Sequence, residues 1–168
     1  NLGINVVYSG TVAGAMEGAI LGIPAIAVSL NTHVEARFEG YARLVAQWIA
    51  QNKTDLLREA VAYNVNVPCV PLGKIRGFTW TRMHALPYAD SFHRRLDPRG
   101  RTYFWLGVDP ITESRATHRK RRAADQFVTD LEAIGESYVS VTPLSVDRTN
   151  YRLLSRMCGG NGQALPTP

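Results

Sequence analysis

A layered α/β fold is predicted for this chain on three observations. Helical and strand-like segments alternate from Thr11 to Val67, the order expected when helices pack on a sheet. Ala25-Ile26-Ala27-Val28 is a continuous apolar run bounded by turn residues, the pattern of a parallel strand buried on both faces. The chain has 168 residues, 45% hydrophobic and 20% charged, which is one-domain sized and enough to build a core.

The first helix is expected from Thr11 to Leu21. Val12, Met16, Ala19 and Ile20 fall on one face at i, i+4, i+7, i+8, while Gly14 and Gly18 lie on another and permit close backbone approach. The glycines lower helix propensity. Glu17 is the only charge in it, and both a rim contact with nearby backbone and a role in a site remain open. Gly22 and Pro24 end the helix, and the apolar strand follows. A second helix spans about Phe38 to Gln51, with Tyr41, Leu44, Val45, Trp48 and Ile49 forming an amphipathic stripe. That periodicity accounts for the aromatic members as packing residues.

The second half changes period. Val61, Tyr63, Val65 and Val67 alternate with Ala62, Asn64 and Asn66, and Phe78 and Trp80 alternate with Thr79 and Thr81, as strands do. Ser91 to Leu96 and Arg101 to Leu106 flank Asp97-Pro98-Arg99-Gly100, whose Asp, Pro and Gly stand where a type I turn prefers them, so a β-hairpin is predicted. Gly107 to Asp125 reads as a long irregular loop. A short helix from Val128 to Ile134 and a strand from Tyr138 to Thr142 come next. A last helix runs from Thr149 to Met157, with Tyr151 and Leu154 one turn apart and Leu153 beside them. After Cys158, the glycines and prolines read as a disordered tail. There is no internal repeat.

No apolar run approaches the roughly 20 residues needed to span a bilayer, so a membrane partner is not expected. Cys69 and Cys158 lack metal-like or CxxC spacing, and free thiols in a reducing cytosol are the expectation, with a cytoplasmic location. His33, His84, His93 and His118 have no mutual ligand spacing, which argues against zinc. Ser29 and Ser140 stand in or beside strands without a Gly-x-Ser-x-Gly elbow, which removes the hydrolase-triad reading. No G-x-G-x-x-G follows a strand. The net charge of +5 suits an anionic ligand, and much of it sits in His118-Arg119-Lys120-Arg121-Arg122. Such a run is usually a solvated loop, or else a patch attracting phosphate or nucleic acid. No aromatic residues interleave with it, so a specific nucleic-acid partner is not expected.

The most informative segment is Asn1 to Gly18. Ser9-Gly10-Thr11 sets two hydroxyls and an unhindered backbone N–H at a helix start, where unpaired amides and the helix dipole favour an anion. An ordinary N-cap is the plainer reading of the same residues. Read on through Gly22-Ile23-Pro24-Ala25-Ile26-Ala27-Val28-Ser29-Leu30, the segment resembles the SurE family of metal-dependent nucleotidases. Asn64-Val65-Asn66-Val67-Pro68, Asp97-Pro98-Arg99-Gly100 with Tyr103-Phe104-Trp105, and Gly135-Glu136-Ser137-Tyr138-Val139-Ser140-Val141-Thr142-Pro143-Leu144 resemble further blocks of that family in the same order. The match runs from Asn1 to about Thr149 and leaves out the basic run.

The resemblance implies a three-layer fold around a Rossmann-like, mostly parallel sheet, with a protruding β-hairpin (about 91–106) and a C-terminal helix. Residues 1–149 are then the C-terminal part of a single domain, 150–158 the last helix, and 159–168 the tail. Family members begin with a strand ending in Asp-Asp-Gly, whose aspartates hold a divalent metal, Mg2+ or Mn2+. A serine from the first half, and an asparagine just before the position of Asn1, complete that site. None of these falls in the chain, which also has no initiator Met, so it is expected to be a C-terminal portion without its metal site. In the family pattern the residues matching Asn1, Ser9, Gly10 and Thr11 line the phosphate pocket. Asn5 stands where an Asp is usual and is left out of the catalytic set. No catalytic or metal-ligating residue is assigned in this chain.

The implied activity is hydrolysis of nucleoside 5'- or 3'-monophosphates by a homodimer or homotetramer, with the hairpin reaching a neighbouring subunit and the chain on its own inactive. The alternative is a non-catalytic oligomerisation or anion-binding module built on the hairpin and last helix.

Overall fold

The computed structural model of the chain describes residues 1–32, 36–85, 89–109 and 126–158. A 3-10 turn, Gly3–Tyr8, leads into α1 (Gly10–Ile20), followed by β1 (Ala25–Asn31), α2 (Glu39–Leu56) and β2 (Ala62–Pro68). A short 3-10 turn at Leu72–Lys74 precedes β3 (Phe78–Trp80), β4 (Ala89–Leu96) and β5 (Thr102–Asp109). Then come α3 (Asp130–Gly135), β6 (Val139–Leu144) and α4 (Tyr151–Met157). One sheet has the order β1-β2-β6-β3, and β4 and β5 pair separately. β1 is parallel to β2 and β3 to β6, while β6 runs antiparallel to β2.

Period-two alternation in β2 divides the molecule into layers. Tyr63, Val65 and Val67 face Val45 and Leu56 of α2, together with Val139 and Val141. Ala62 faces the other way, where it packs with Ala27 and Leu144 against Val6 and the Val12, Ala15 and Ala19 side of α1. Every residue of β2 is buried, so the strand is covered on both faces. The α2 stripe is the one expected from Tyr41, Leu44, Val45, Trp48 and Ile49, and the helix runs one turn further to bury Leu56.

The α1 stripe is shifted from expectation. Ala15 is buried where Ile20 was expected, and Ile20 is 59% exposed. The helix lies so close to β1 that only small side chains fit in the contact. Gly18 shows how close: a Cβ there would meet the Ala25 Cβ at 2.8 Å. Gly14 has no such neighbour. Gly18→Ala is therefore expected to destabilise by about 1–3 kcal/mol, because overpacking outweighs the propensity gain of up to ~1 kcal/mol. A urea midpoint that rises instead would show that the helix can lift off β1 at no cost.

The hairpin forms as expected. Asp97 Oδ1 accepts from the N–H groups of Arg99 and Arg101 at 2.8 and 2.9 Å, and Gly100 takes φ +78°. These hydrogen bonds, led by Arg101, hold the Asp97 carboxyl below its ordinary value. The expected irregular loop is overtaken at its start, since β5 continues to Asp109. Its remainder, with the basic run, and the tail from Gly159 lie outside the described residues. α3 starts later than expected because Thr129 caps it: its hydroxyl accepts from Glu132 N–H, and Glu132 reaches back to Thr129 N–H. α4 starts at Tyr151, capped by Asn150 Oδ1 accepting from Leu153 N–H at 2.9 Å. No described helix is long and apolar enough to cross a membrane.

Candidate anion site at the strand ends

Gly18 of α1 lies against Ala25 at the beginning of β1, and the helix packs back along β1 and β2. Its N-terminus is thereby directed toward the carboxyl ends of the two parallel strands, the usual ligand position in open α/β sheets. Ser9 is the N-cap of α1, its Oγ accepting from Val12 N–H at 3.2 Å. A hydroxyl that accepts in this way still has its proton to donate, so capping and anion binding are compatible. Gly10 and Thr11 are exposed in the first turn, where a helix has no internal acceptor for their N–H groups. A Cβ on Gly10 would meet nothing within 4 Å, so its backbone is open to an incoming oxygen.

Asn1 is held at the strand ends by two contacts. Its Nδ2 donates to Ser29 Oγ of β1 at 2.6 Å, and its carbonyl accepts from Asn64 Nδ2 of β2 at 2.8 Å. Ser29, Asn66, Ser140 and Thr79 are successive register partners across all four strands, and Asn64 pairs with Thr142 in the next row. Thr81 and Thr142 hydroxyls bond at 2.7 Å. This face of the sheet is therefore polar at one end and apolar beneath α1 at the other. Asn64 Oδ1, both amide atoms of Asn66 and Ser140 Oγ are buried without a hydrogen-bond partner among the described residues. Each such group costs about 1–3 kcal/mol. A row of them points to a functional surface more than a packing one. Asn5 is exposed in the 3-10 turn.

Sequence reasoning missed Asp130. It is fully buried, and its carboxylate accepts from three backbone N–H groups: Gly3 at 2.6 Å, His84 at 3.0 Å and Leu131 at 2.8 Å. Burial pushes this carboxyl above its ordinary value, and the three N–H donors, with the His84 charge, pull it back. Gly3 has φ +54°, and a Cβ there would lie 3.0 Å from the His84 carbonyl oxygen. The Thr129-x-x-Glu132 capping box places Asp130 at this helix start. It was the one sequence signal available, and it says nothing about partners so far along the chain.

A divalent cation wants hard oxygen ligands, with one or two carboxylates among them. The described residues do not fit one: no three His, Cys, Asp or Glu side chains are grouped to hold a metal. The Asp130 oxygens are committed to backbone N–H groups, and Asn1, Ser9, Thr11 and Ser29 offer neutral amides and hydroxyls. These donors suit an anion's oxygens.

The fold and this strand-end cluster define an α/β protein with an open helix start beside a mostly parallel sheet. Residues 1–90 match the family described as Survival protein SurE. A 5'-nucleotidase SurE of Synechococcus elongatus is 41% identical over 157 residues, 94% of this chain and 59% of the relative. That of Fervidobacterium nodosum is 37% identical over 97% of this chain and 60% of its own length. The crystal structure of the SurE protein from Aquifex aeolicus superposes with a TM-score of 0.72 at 33% identity, over 95% of this chain and 60% of that one. The chain belongs to the SurE family. It spans about three-fifths of the length of these relatives.

Proposed function

We propose that the chain is part of a phosphatase of nucleoside 5'- or 3'-monophosphates, in which Asn1, Ser9, Gly10 and Thr11 bind the phosphate. The observation that carries the reading is the open first turn of α1, where Gly10 and Thr11 N–H groups and the Ser9 hydroxyl meet no bulk at Gly10. Donors of this kind, fixed before substrate arrives, stabilise charge on phosphoryl oxygens. The relatives' name, 5'-nucleotidase SurE, supports the substrate class. The reading includes a divalent metal, Mg2+ or Mn2+, whose carboxylate ligands come from outside the described residues.

Adding Mg2+ or Mn2+ to the 168-residue chain is accordingly expected to give no release of phosphate from AMP, while inorganic phosphate perturbs the Gly10 and Thr11 amide resonances. Metal-dependent turnover by the purified chain, or silent amides, would count against this arrangement.

The reading also includes a homodimer or homotetramer. Phe92, Phe104 and Trp105 are 67%, 64% and 57% exposed on the β4–β5 ribbon, and Tyr151, Leu153, Leu154 and Met157 are exposed on α4. A two-stranded ribbon cannot bury that much aromatic surface by itself. Deleting Thr149 to Pro168 from the full-length protein is expected to shift it toward smaller species in light scattering. An unchanged mass would assign these side chains to contacts within one chain.

A further inference from the structure

We propose that Asp130 is a positioning residue for the anion site, holding the Asn1–Gly3 segment so that the Asn1 amide stays over the strand ends. The inference rests on the reading of Asn1 as a phosphate donor. Three contacts fix this segment, each from a different element. Ser29 of β1 takes the Asn1 amide, Asn64 of β2 takes the Asn1 carbonyl, and Asp130 of α3 takes the Gly3 N–H. Only the last is charge-assisted, and at 2.6 Å it is as short as the Asn1–Ser29 contact.

The same carboxylate binds His84 N–H with its other oxygen, so Asp130 ties the segment to the chain leaving β3 as well as to the start of α3. The fit is tight on that side. A side chain at Gly3 would run into the His84 carbonyl and Cβ, at 3.0 and 3.2 Å. Gly3 is thus held between a carboxylate and a backbone carbonyl, at a φ that L side chains rarely adopt. A carboxylate that is fully buried and spends both oxygens on the backbone N–H groups of Gly3, His84 and Leu131 fixes main-chain geometry; it does not bind substrate. Asp130 acts through Gly3.

The test uses the 168-residue chain, inorganic phosphate and amide hydrogen exchange. Asp130→Asn keeps the volume but can present only one acceptor oxygen to Gly3 and His84. It is expected to weaken phosphate binding about 10- to 100-fold, the range for losing a hydrogen bond to a charged group. Gly3 exchange is expected to accelerate far more than exchange at Val65 in the centre of the sheet. Val65→Ala, which loosens the core without touching the segment, is the control, and its folded form is expected to bind phosphate as the unaltered chain does.

Equal weakening by the two variants would overturn the inference, since general loosening would then explain the loss. So would unchanged phosphate affinity in Asp130→Asn with binding intact in the unaltered chain. Failure of the unaltered chain to bind phosphate would overturn the site reading and this inference together. Should Asp130→Asn not fold, the unaltered chain still decides: a Gly3 amide that, without phosphate, exchanges as fast as that of exposed Gly10 in the first turn of α1 would rule out the clamp.

Discussion

If the proposed phosphatase reading holds, Ser9→Ala is expected to slow phosphate release from a nucleoside monophosphate by roughly 10- to 1,000-fold in the active protein, the range for losing a donor placed in advance against developing charge. The same substitution removes the α1 cap, at about 1 kcal/mol. The two effects separate by measurement. A fall in rate at temperatures where the variant stays folded belongs to the site, whereas a lowered melting temperature with an unchanged rate assigns Ser9 to capping alone. Ser9→Thr keeps both the hydroxyl and the cap and is expected to recover most of the rate.

The largest expected effect on stability comes from the opposite face of the sheet. Trp48 of α2 stacks flat on Phe78, with ring centroids 4.7 Å apart and an interplanar angle of 5°, and meets Trp80 edge-on at 6.2 Å. These contacts join α2 to β3, the outermost strand beyond β6. Trp48→Ala is expected to cost about 3 kcal/mol, the low end for an aromatic truncation because the ring is only half-buried. That is a large share of the roughly 5–15 kcal/mol that holds a domain together. The urea midpoint should fall with little change in slope. Phosphate affinity of the folded fraction should hold, since the site lies on the other face. A loss below about 0.5 kcal/mol, the size of an ordinary surface substitution, would mean the ring adds nothing to the core.

How far the sequence discloses this molecule depends on whether the interaction leaves a periodic trace. α2 and β2 were legible because burial repeats along them, and the hairpin because Asp97 and Gly100 are demanded by one turn. One member of the α1 stripe was misread, since an alanine at a close helix–strand contact competes poorly with Ile20 in any hydrophobicity pattern. Asn64 and Asn66 read as the polar half of an ordinary alternation. They are instead buried within β2 beneath the Asn1 segment, with the Asn1 carbonyl resting on Asn64. Ser9, Gly10 and Thr11 were recognisable as a helix start, which the structure has. Asp130 could not be read, because its partners are backbone N–H groups, which every residue but proline carries.

The distance along the chain between Gly3 and Asp130, 127 positions, has a consequence for the order of events during folding. Contacts that close so large a loop form late and slowly. A growing chain emerging from its N-terminus can form α1, β1 and β2 while the Asn1–Gly3 segment still lacks its clamp. The helix start is then present without the completed cluster, which closes only after α3 has been made and docked. On the proposed reading, a ligand of the completed cluster would stabilise only chains whose last third is already in place.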